Sequence, residues 1–249
     1  MKMINNTTID TLMKRKSVRV FLDQEIEEEK IEAILQASIN APTAGNQQLY
    51  TILKITDPTI KEQLSILCDN QPFIASAKLI LVYLADCHKW YEAYKDIELN
   101  PRQPEFGDFL LAVDDALIAS ENAVIAAESL GIGSCYIGDV MENKEEICKL
   151  LHLPEYVFPA SLLVFGYPTP KQQERQKPKR ANLKDIVYEN SYFEMNAKER
   201  EEMLKYHYGD AQYHTWLEAF YKRKYDSSFA HEMNRSAKAY LKDYQEKKE

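Results

Sequence analysis

The chain has 249 residues, and its 31 lysines and arginines against 39 aspartates and glutamates give a formal net charge of -8. A content of 45% hydrophobic and 28% charged residues is typical of a folded globular protein and excludes a disordered chain. The acidic balance argues against a dedicated nucleic-acid binder, because such a protein gains its affinity mainly by neutralising phosphates.

The first part of the chain alternates predicted helices and strands. Apolar residues at helical spacing predict a helix over residues 7–14 and a second over 27–40, which ends at a proline-containing loop. Residues 50–56 and 78–85 are rich in β-branched and aromatic side chains and are predicted strands. Residues 86–106 are expected to form an irregular excursion that is partly helical.

A long helix is predicted over residues 108–130, where many small side chains would let another backbone approach closely. We expect it to be buried centrally or at a subunit interface. In that setting Asp114 or Asp115 would cap a neighbouring segment or pair across the interface. Gly131 supplies the left-handed residue that ends the helix.

The remaining predicted elements are a strand over 134–137, a helix over 144–151 and a strand over 160–166. Residues 168–180 are rich in Lys, Gln and Pro and are predicted as a loop. From residue 198 onward the pattern is helical and highly charged.

Strands separated by helices predict a layered architecture of both elements. We treat residues 1–249 as a single domain, with 86–106 as an excursion and 196–249 as a helical C-terminal extension.

The cysteines indicate a reducing compartment and no metal site. Their spacing is not that of a zinc site, so they are expected to be buried apolar side chains in a cytosolic protein; they are Cys68, Cys87, Cys135 and Cys148. The first eight residues are polar, and the longest apolar run, 79–85, is far shorter than the ~20 residues that span a bilayer. We therefore expect a cytoplasmic protein without a membrane partner.

Two basic clusters stand out against the acidic background. In the first, Arg15, Lys16 and Arg19 surround Ser17. The second consists of Lys171, Arg175, Lys177, Lys179 and Arg180. Each cluster alone would be a solvated surface run. Together they could converge on one phosphate group, because Arg and Lys supply the matching donors.

Four segments of the chain form a recognisable ordered set. They are residues 15–19 (RKSVR), 41–48 (APTAGNQQ), 131–138 (GIGSCYIG), and 177–180 (KPKR) followed by 188–192 (YENSY). In this order they resemble the nitroreductase family of FMN-dependent oxidoreductases, most closely its larger NADPH-using branch. The resemblance covers almost the whole chain. It implies an α+β fold with a mixed central sheet flanked by helices, in an interlocked homodimer whose interface contains the long helix.

The resemblance also implies which residues bind FMN. The implied contacts to the phosphate and ribityl chain are Arg15, Lys16, Ser17 and Arg19, with Lys177 and either Lys179 or Arg180. That choice is open because the family motif often ends Lys-Pro-Arg, whereas here Lys179 precedes Arg180. The implied contacts to the isoalloxazine ring are Pro42, Thr43 and Asn46 from the opposite subunit, Gln71, and Tyr136 with Gly138 near the reactive face. Asp139 replaces a common glycine and would put a carboxylate near the flavin.

The implied activity is transfer of hydride from NADPH or NADH, through flavin N5, to nitroaromatics, quinones or flavins. This ping-pong cycle requires no catalytic side chain, and the sequence suggests none. The family's arginines for the NADPH 2′-phosphate are missing from residues 206–214, so the nicotinamide preference stays open. Two alternatives are a flavin-binding or redox-sensing protein with little turnover, and a helical interaction protein built on the charged C-terminal region.

Overall fold

Residues 4–245 are described by a computed structural model, and within them a four-stranded sheet organises the fold. Its strands are β1 (Tyr50–Lys54), β2 (Leu79–Asp86), β3 (Gly133–Ile137) and β4 (Val157–Gly166). They follow the order β1-β2-β4-β3, and every neighbouring pair is antiparallel. Outside the sheet, the described residues Ser17 and Ser134 form an isolated parallel bridge.

Helices cover most of the remaining described chain. They are α1 (Thr7–Lys14), α2 (Glu28–Ile39), α3 (Pro58–Leu67), α4 (Pro72–Ala75), α5 (His88–Asp96), α6 (Phe106–Ser129), α7 (Lys144–Leu151), α8 (Pro170–Glu174), α9 (Ala197–Tyr208), α10 (Tyr213–Lys224) and α11 (Ser228–Leu241). Short 3-10 turns occur at Ala44–Asn46, Gly138–Met141, Leu183–Asp185 and Lys242–Tyr244.

The predicted α+β class is confirmed, although the strand pairs of the described sheet are antiparallel and not mixed as predicted. The predicted strands and helices up to residue 166 occur with small shifts at their ends. β4 begins at Val157, ahead of the predicted start at residue 160, because Pro159 is tolerated beside an irregularity in the β2–β4 ladder. The excursion 86–106 is partly helical as expected, since it contains α5.

Three helices were not predicted. α3 and α4 lie in a stretch to which no element was assigned, and α8 lies in the predicted loop 168–180, where that prediction is wrong. Both α3 and α8 begin with a proline in the first turn, where a missing N–H costs nothing. The Asp57 carboxylate also caps α3 by accepting from the amide of Thr59 at 2.7 Å.

The long helix α6 is buried along one side, as predicted. The small residues on that side are Ala112, Ala116, Ala119, Ala123 and Ala127, all with no exposed surface. They pack against α2 and the sheet. The opposite side exposes large apolar residues, which are Phe106, Leu110, Leu111, Leu117 and Ile118. A helix that is apolar on both sides is typical of a position between two packed bodies.

The chain divides into two compact units. The first contains the sheet and consists of the residues up to 175 together with those from 232 onward; the second is 176–231. Within the first unit, Tyr244 packs edge-on against Phe109 with ring centroids 5.0 Å apart. The predicted extension 196–249 is helical through α9, α10 and α11.

The ends of the predicted domain, residues 1–3 and 246–249, lie outside the described residues. Between residues 4 and 245, none of the helices combines the length and apolar character that a membrane span requires.

Candidate functional site

The segment that follows α1 lies directly against β3. The Val18 amide donates to the Ser134 carbonyl at 2.8 Å, next to the bridge from Ser17. A Cβ atom on Gly133 would lie 2.6 Å from Val18 Cγ2, so only glycine at position 133 permits this approach. The segment carrying the first basic cluster is therefore fixed by a backbone pairing and a close packing contact.

Charged and polar groups of this segment lie near the buried thiol of Cys135 in β3. Burial raises the pKa of Cys135, and four groups act in the opposite direction: Arg19, the Ser17 side chain, Arg15 and Arg175. All four groups therefore lie in the neighbourhood of this thiol. Neither Arg15 nor Arg19 takes part in an ion pair among residues 4–245, so both guanidinium groups can bind an anion.

Lys16 and Arg175 tie this segment to the end of α8. The Lys16 ammonium donates to the carbonyls of Gln173 at 2.5 Å and Arg175 at 2.6 Å, which uses two of its three N–H groups. The Arg175 guanidinium donates in turn to the Ser17 carbonyl. Arg175 belongs to the second basic cluster but was not among the predicted flavin contacts. The local sequence does not indicate these reciprocal hydrogen bonds between Lys16, Arg175 and the two backbones, because the two segments are far apart in the chain.

The other predicted phosphate contacts, Lys177, Lys179 and Arg180, belong to the second compact unit. The Arg180 guanidinium donates to the Pro178 and Lys179 carbonyls at 3.4 Å each. Their contribution to the phosphate site stays a prediction.

The loop between α2 and β1 carries three of the predicted ring contacts. Pro42 and Asn46 are exposed and Thr43 is half-buried. The Thr43 hydroxyl accepts from the Gln48 amide at 3.2 Å. The backbone of Gly45, Asn46 and Gln48 is left-handed, with φ of 57°, 58° and 51°. This conformation is unfavourable for residues with side chains, so the turn requires external support.

The remaining predicted ring contacts, Gln71, Tyr136 and Gly138, lie at the ends of short elements. The Gln71 side-chain amide donates to the Cys68 carbonyl at 2.7 Å just before α4. The Tyr136 hydroxyl lies 2.8 Å from the Ser120 hydroxyl and 3.1 Å from a Glu121 carboxylate oxygen, to which it donates. Since its hydroxyl is engaged, Tyr136 can offer a ligand its ring and backbone.

An acidic group that was not predicted follows the 3-10 turn Gly138–Met141. Glu142 is 6% exposed, and its Oε1 has no hydrogen-bond partner among residues 4–245. Burial raises its pKa to about 7, with further contributions from Asp139, Asp69 and Glu232. Asp139 is a neighbour in the chain, whereas Asp69 and Glu232 come from distant segments that only the fold brings to Glu142. Within the part of the chain that the structure describes, no His, Cys, Asp and Glu cluster is suited to a metal ion.

An open cavity of about 520 Å³ adjoins the end of the loop at Gln47 and Leu49. Its walls include the aromatic side chains of Trp90, Tyr91 and Tyr94. The volume and the aromatic lining are typical of pockets for small planar molecules.

Comparison with known proteins matches residues 12–167 to the model of the nitroreductase family. An oxygen-insensitive NADPH nitroreductase from Salmonella typhimurium is 32% identical over 191 residues, which cover 77% of each chain. A Cr(VI) reductase from a Pseudomonas species is 30% identical over 215 residues, which cover 86% of this chain and 84% of the relative.

Two solved structures are similar over nearly their whole length. Nitroreductase A from Vibrio parahaemolyticus has a TM-score of 0.81 at 26% identity and covers 96% of this chain and 98% of its own. The NADPH:FMN oxidoreductase from Vibrio harveyi, solved in complex with NAD+, has a TM-score of 0.77 at 26% identity and covers 95% and 98%.

Proposed function

Because the chain belongs to the nitroreductase family, as its match over residues 12–167 establishes, we propose that residues 15–19 form its FMN phosphate site. The protein is an oxidoreductase that uses FMN with NADPH or NADH, the reactants named for its FMN reductase and nitroreductase relatives. The observation that carries the site assignment is the pairing of the segment 15–19 with β3 and its hydrogen bond from Arg175. Three arginines and Ser17 are thereby brought near one another.

The residues at this point fit a phosphate group. Arg15 and Arg19 take part in none of the ion pairs among residues 4–245, and guanidinium groups bind phosphate oxygens through paired N–H donors. Ser17 would add a hydroxyl donor. Lys16 holds the neighbouring backbone in place. The second basic group, Lys177 with Lys179 or Arg180, is proposed to complete the site.

The isoalloxazine ring is proposed to lie against the loop between α2 and β1 of the opposite subunit. The proposed ring contacts are Pro42, Thr43 and Asn46 from that loop, Gln71, Tyr136 and Gly138. Exposure of Pro42 and Asn46 supports a role in contacting a second molecule.

FMN held at this site would supply the redox chemistry, which we propose to be hydride transfer from NADPH or NADH, via flavin N5, to a nitroaromatic, quinone or flavin by a ping-pong mechanism. The side chains of this protein bind and orient the reactants. The Tyr136 hydroxyl is held by Ser120 and Glu121, and this restraint positions the ring of Tyr136. The aromatic cavity at Gln47 supports small planar acceptors as substrates.

We also propose a cytoplasmic homodimer that forms a single domain. The exposed apolar side of α6 supports a second copy as partner, since several large apolar residues on this helix are exposed. The return of the chain to the first compact unit at residue 232 supports treating 1–249 as one domain. The four free thiols suit a reducing compartment.

The assignment is tested with a Ser17→Ala and Arg19→Ala double variant of the full chain. A hydrogen bond to a charged group contributes about 1.5–3 kcal/mol, so losing two should weaken FMN binding more than about 100-fold. We expect the double variant to purify without colour and to unfold at the same temperature as flavin-free wild type.

Lys14→Ala is the matched control, since it removes a neighbouring exposed charge that pairs with Asp10 at 3.8 Å. A double variant that stays as yellow as this control contradicts the phosphate assignment. Activity is tested separately by adding NADPH or NADH to the wild-type holoprotein without oxygen. We expect the flavin absorbance to bleach rapidly; an unbleached spectrum would indicate a flavin-binding protein with little turnover.

A further inference from the structure

The carboxylate of Asp115 lies at the centre of α6 and is bonded to the loop between α2 and β1. It is 2% exposed. One oxygen accepts from the Ala44 amide at 2.8 Å, and the other accepts from the Leu49 amide at 3.0 Å. The two amides bracket the left-handed turn, so a single buried carboxylate fixes both ends of it.

A second contact holds the middle of the same loop. The Trp90 indole donates to the Gln47 carbonyl at 2.8 Å. Left-handed Asn46 and Gln48 persist only if the surroundings determine their conformation. Asp115 and Trp90 supply that restraint from two different helices.

The helix that carries Asp115 also carries the partners of Tyr136. Ser120 and Glu121 lie on α6 and hold the Tyr136 hydroxyl at 2.8 Å and 3.1 Å. The loop between α2 and β1 and the ring of Tyr136 lie on different segments of the chain. Contacts with the same helix, α6, therefore hold both in place.

We propose that Asp115 is a positioning residue for flavin chemistry: it sets the geometry of the loop 43–49 that contacts the isoalloxazine ring, and Trp90 supports it. The proposal rests on the proposed function. Asp115 touches no reactant; it acts through the loop, whose placement determines how the ring is held. Displacement of reacting groups by about 1 Å can cost roughly 100-fold in rate, so such a restraint has a measurable effect.

Asp115→Asn is the informative variant because it keeps the shape of the side chain. It replaces one acceptor oxygen with an N–H donor, which then faces a backbone N–H. Asp114→Asn is the matched control, since Asp114 is the adjacent residue on the same helix and is exposed. We expect Asp115→Asn to weaken FMN binding by roughly 10- to 100-fold, the equivalent of one lost charged hydrogen bond.

The decisive measurement is made at FMN concentrations that saturate both variants. A positioning role predicts an altered visible circular dichroism spectrum of bound flavin and a kcat lowered by roughly 10-fold or more, with little change in the KM for NADPH. If saturated Asp115→Asn has the spectrum and kcat of the Asp114→Asn control, the proposal is overturned.

Amide hydrogen exchange tests the restraint without relying on activity or on a stable Asp115 variant. In the wild-type protein the Ala44 and Leu49 amides should be protected, and Trp90→Phe should reduce protection around Gln47 while keeping an aromatic ring. Rapid exchange of both amides in the wild type would refute the proposal that Asp115 holds the loop. A wild-type protein that binds no FMN would instead overturn the proposed function, leaving the exchange result to decide whether Asp115 holds the loop.

Discussion

Replacement of Glu142 by Gln should change how stability depends on pH. The Glu142 carboxyl is 6% exposed, and burial followed by repulsion from neighbouring carboxylates raises its pKa from 4.5 to about 7. The folded protein therefore holds it protonated at mildly acidic pH. The folded-state value lies above the unfolded one, so its contribution to stability is full below pH 4.5 and is lost as the pH rises through 7.

The size of the effect follows from the shift. Each pKa unit corresponds to about 1.36 kcal/mol, so ionising Glu142 in the folded state costs at most about 3 kcal/mol. Gln keeps the shape but cannot ionise. We expect Glu142→Gln and wild type to differ little at pH 5, and the variant to become progressively more stable than wild type toward pH 8.

Chemical unfolding at several pH values between 5 and 8 measures this difference. Glu145→Gln is a suitable control because the Arg235 hydrogen bonds lower the pKa of Glu145 to about 2. Its carboxylate stays charged throughout, so the effect of Glu145→Gln should be independent of pH in this range. If the difference between wild type and Glu142→Gln is also flat, Glu142 does not ionise there and the reasoning is wrong.

Two further predictions concern packing and thiol reactivity. Gly133→Ala puts a Cβ atom 2.6 Å from Val18 Cγ2; such overpacking should cost about 1–3 kcal/mol in unfolding experiments and weaken FMN binding. Gly107→Ala, with nothing within 4 Å, is the control, and equal stability of the two would contradict the contact. Burial raises the pKa of Cys68 and raises that of Cys87 to about 12. Mass spectrometry after iodoacetamide at pH 8 should therefore find both thiols unmodified until the protein unfolds, and labelling of the native protein at the denatured rate would refute this.

Much of the fold could be predicted because its signals are local. The small residues of α6 recur at positions 112, 116 and 119, and this spacing identifies the buried side of the helix. The same phase puts Asp115 on the buried side and Asp114 on the exposed side. Both acids were candidates for a capping or pairing role, and the helical phase distinguishes them. The proline in the first turn of α3 and its Asp57 cap are also local signals of a helix.

The parts of the candidate site that were missed depend on contacts between distant segments. Lys16 bonds to carbonyls more than 150 residues later, at a helix whose composition resembles a loop. Glu142 is buried where residues from α11 close over it: the amide of the next residue, Asn143, donates to Glu232 at 3.1 Å, and the Ser236 hydroxyl donates to the Met141 carbonyl at 2.7 Å. No pattern around residue 142 indicates those contacts, so its altered acidity could not be predicted from sequence alone.

The aromatic contacts made by the last described residues have a consequence for the order of folding. Tyr240 packs edge-on against Phe158 with ring centroids 5.0 Å apart, and Tyr244 packs against Phe109 at the same distance. These contacts close a loop of the chain that contains the whole stretch 176–231. Closing this loop costs conformational entropy, which must be overcome before the aromatic contacts can stabilise the fold. The sheet and α6 can therefore assemble early during synthesis, whereas the core acquires its final aromatic members only after the entire second unit has been made.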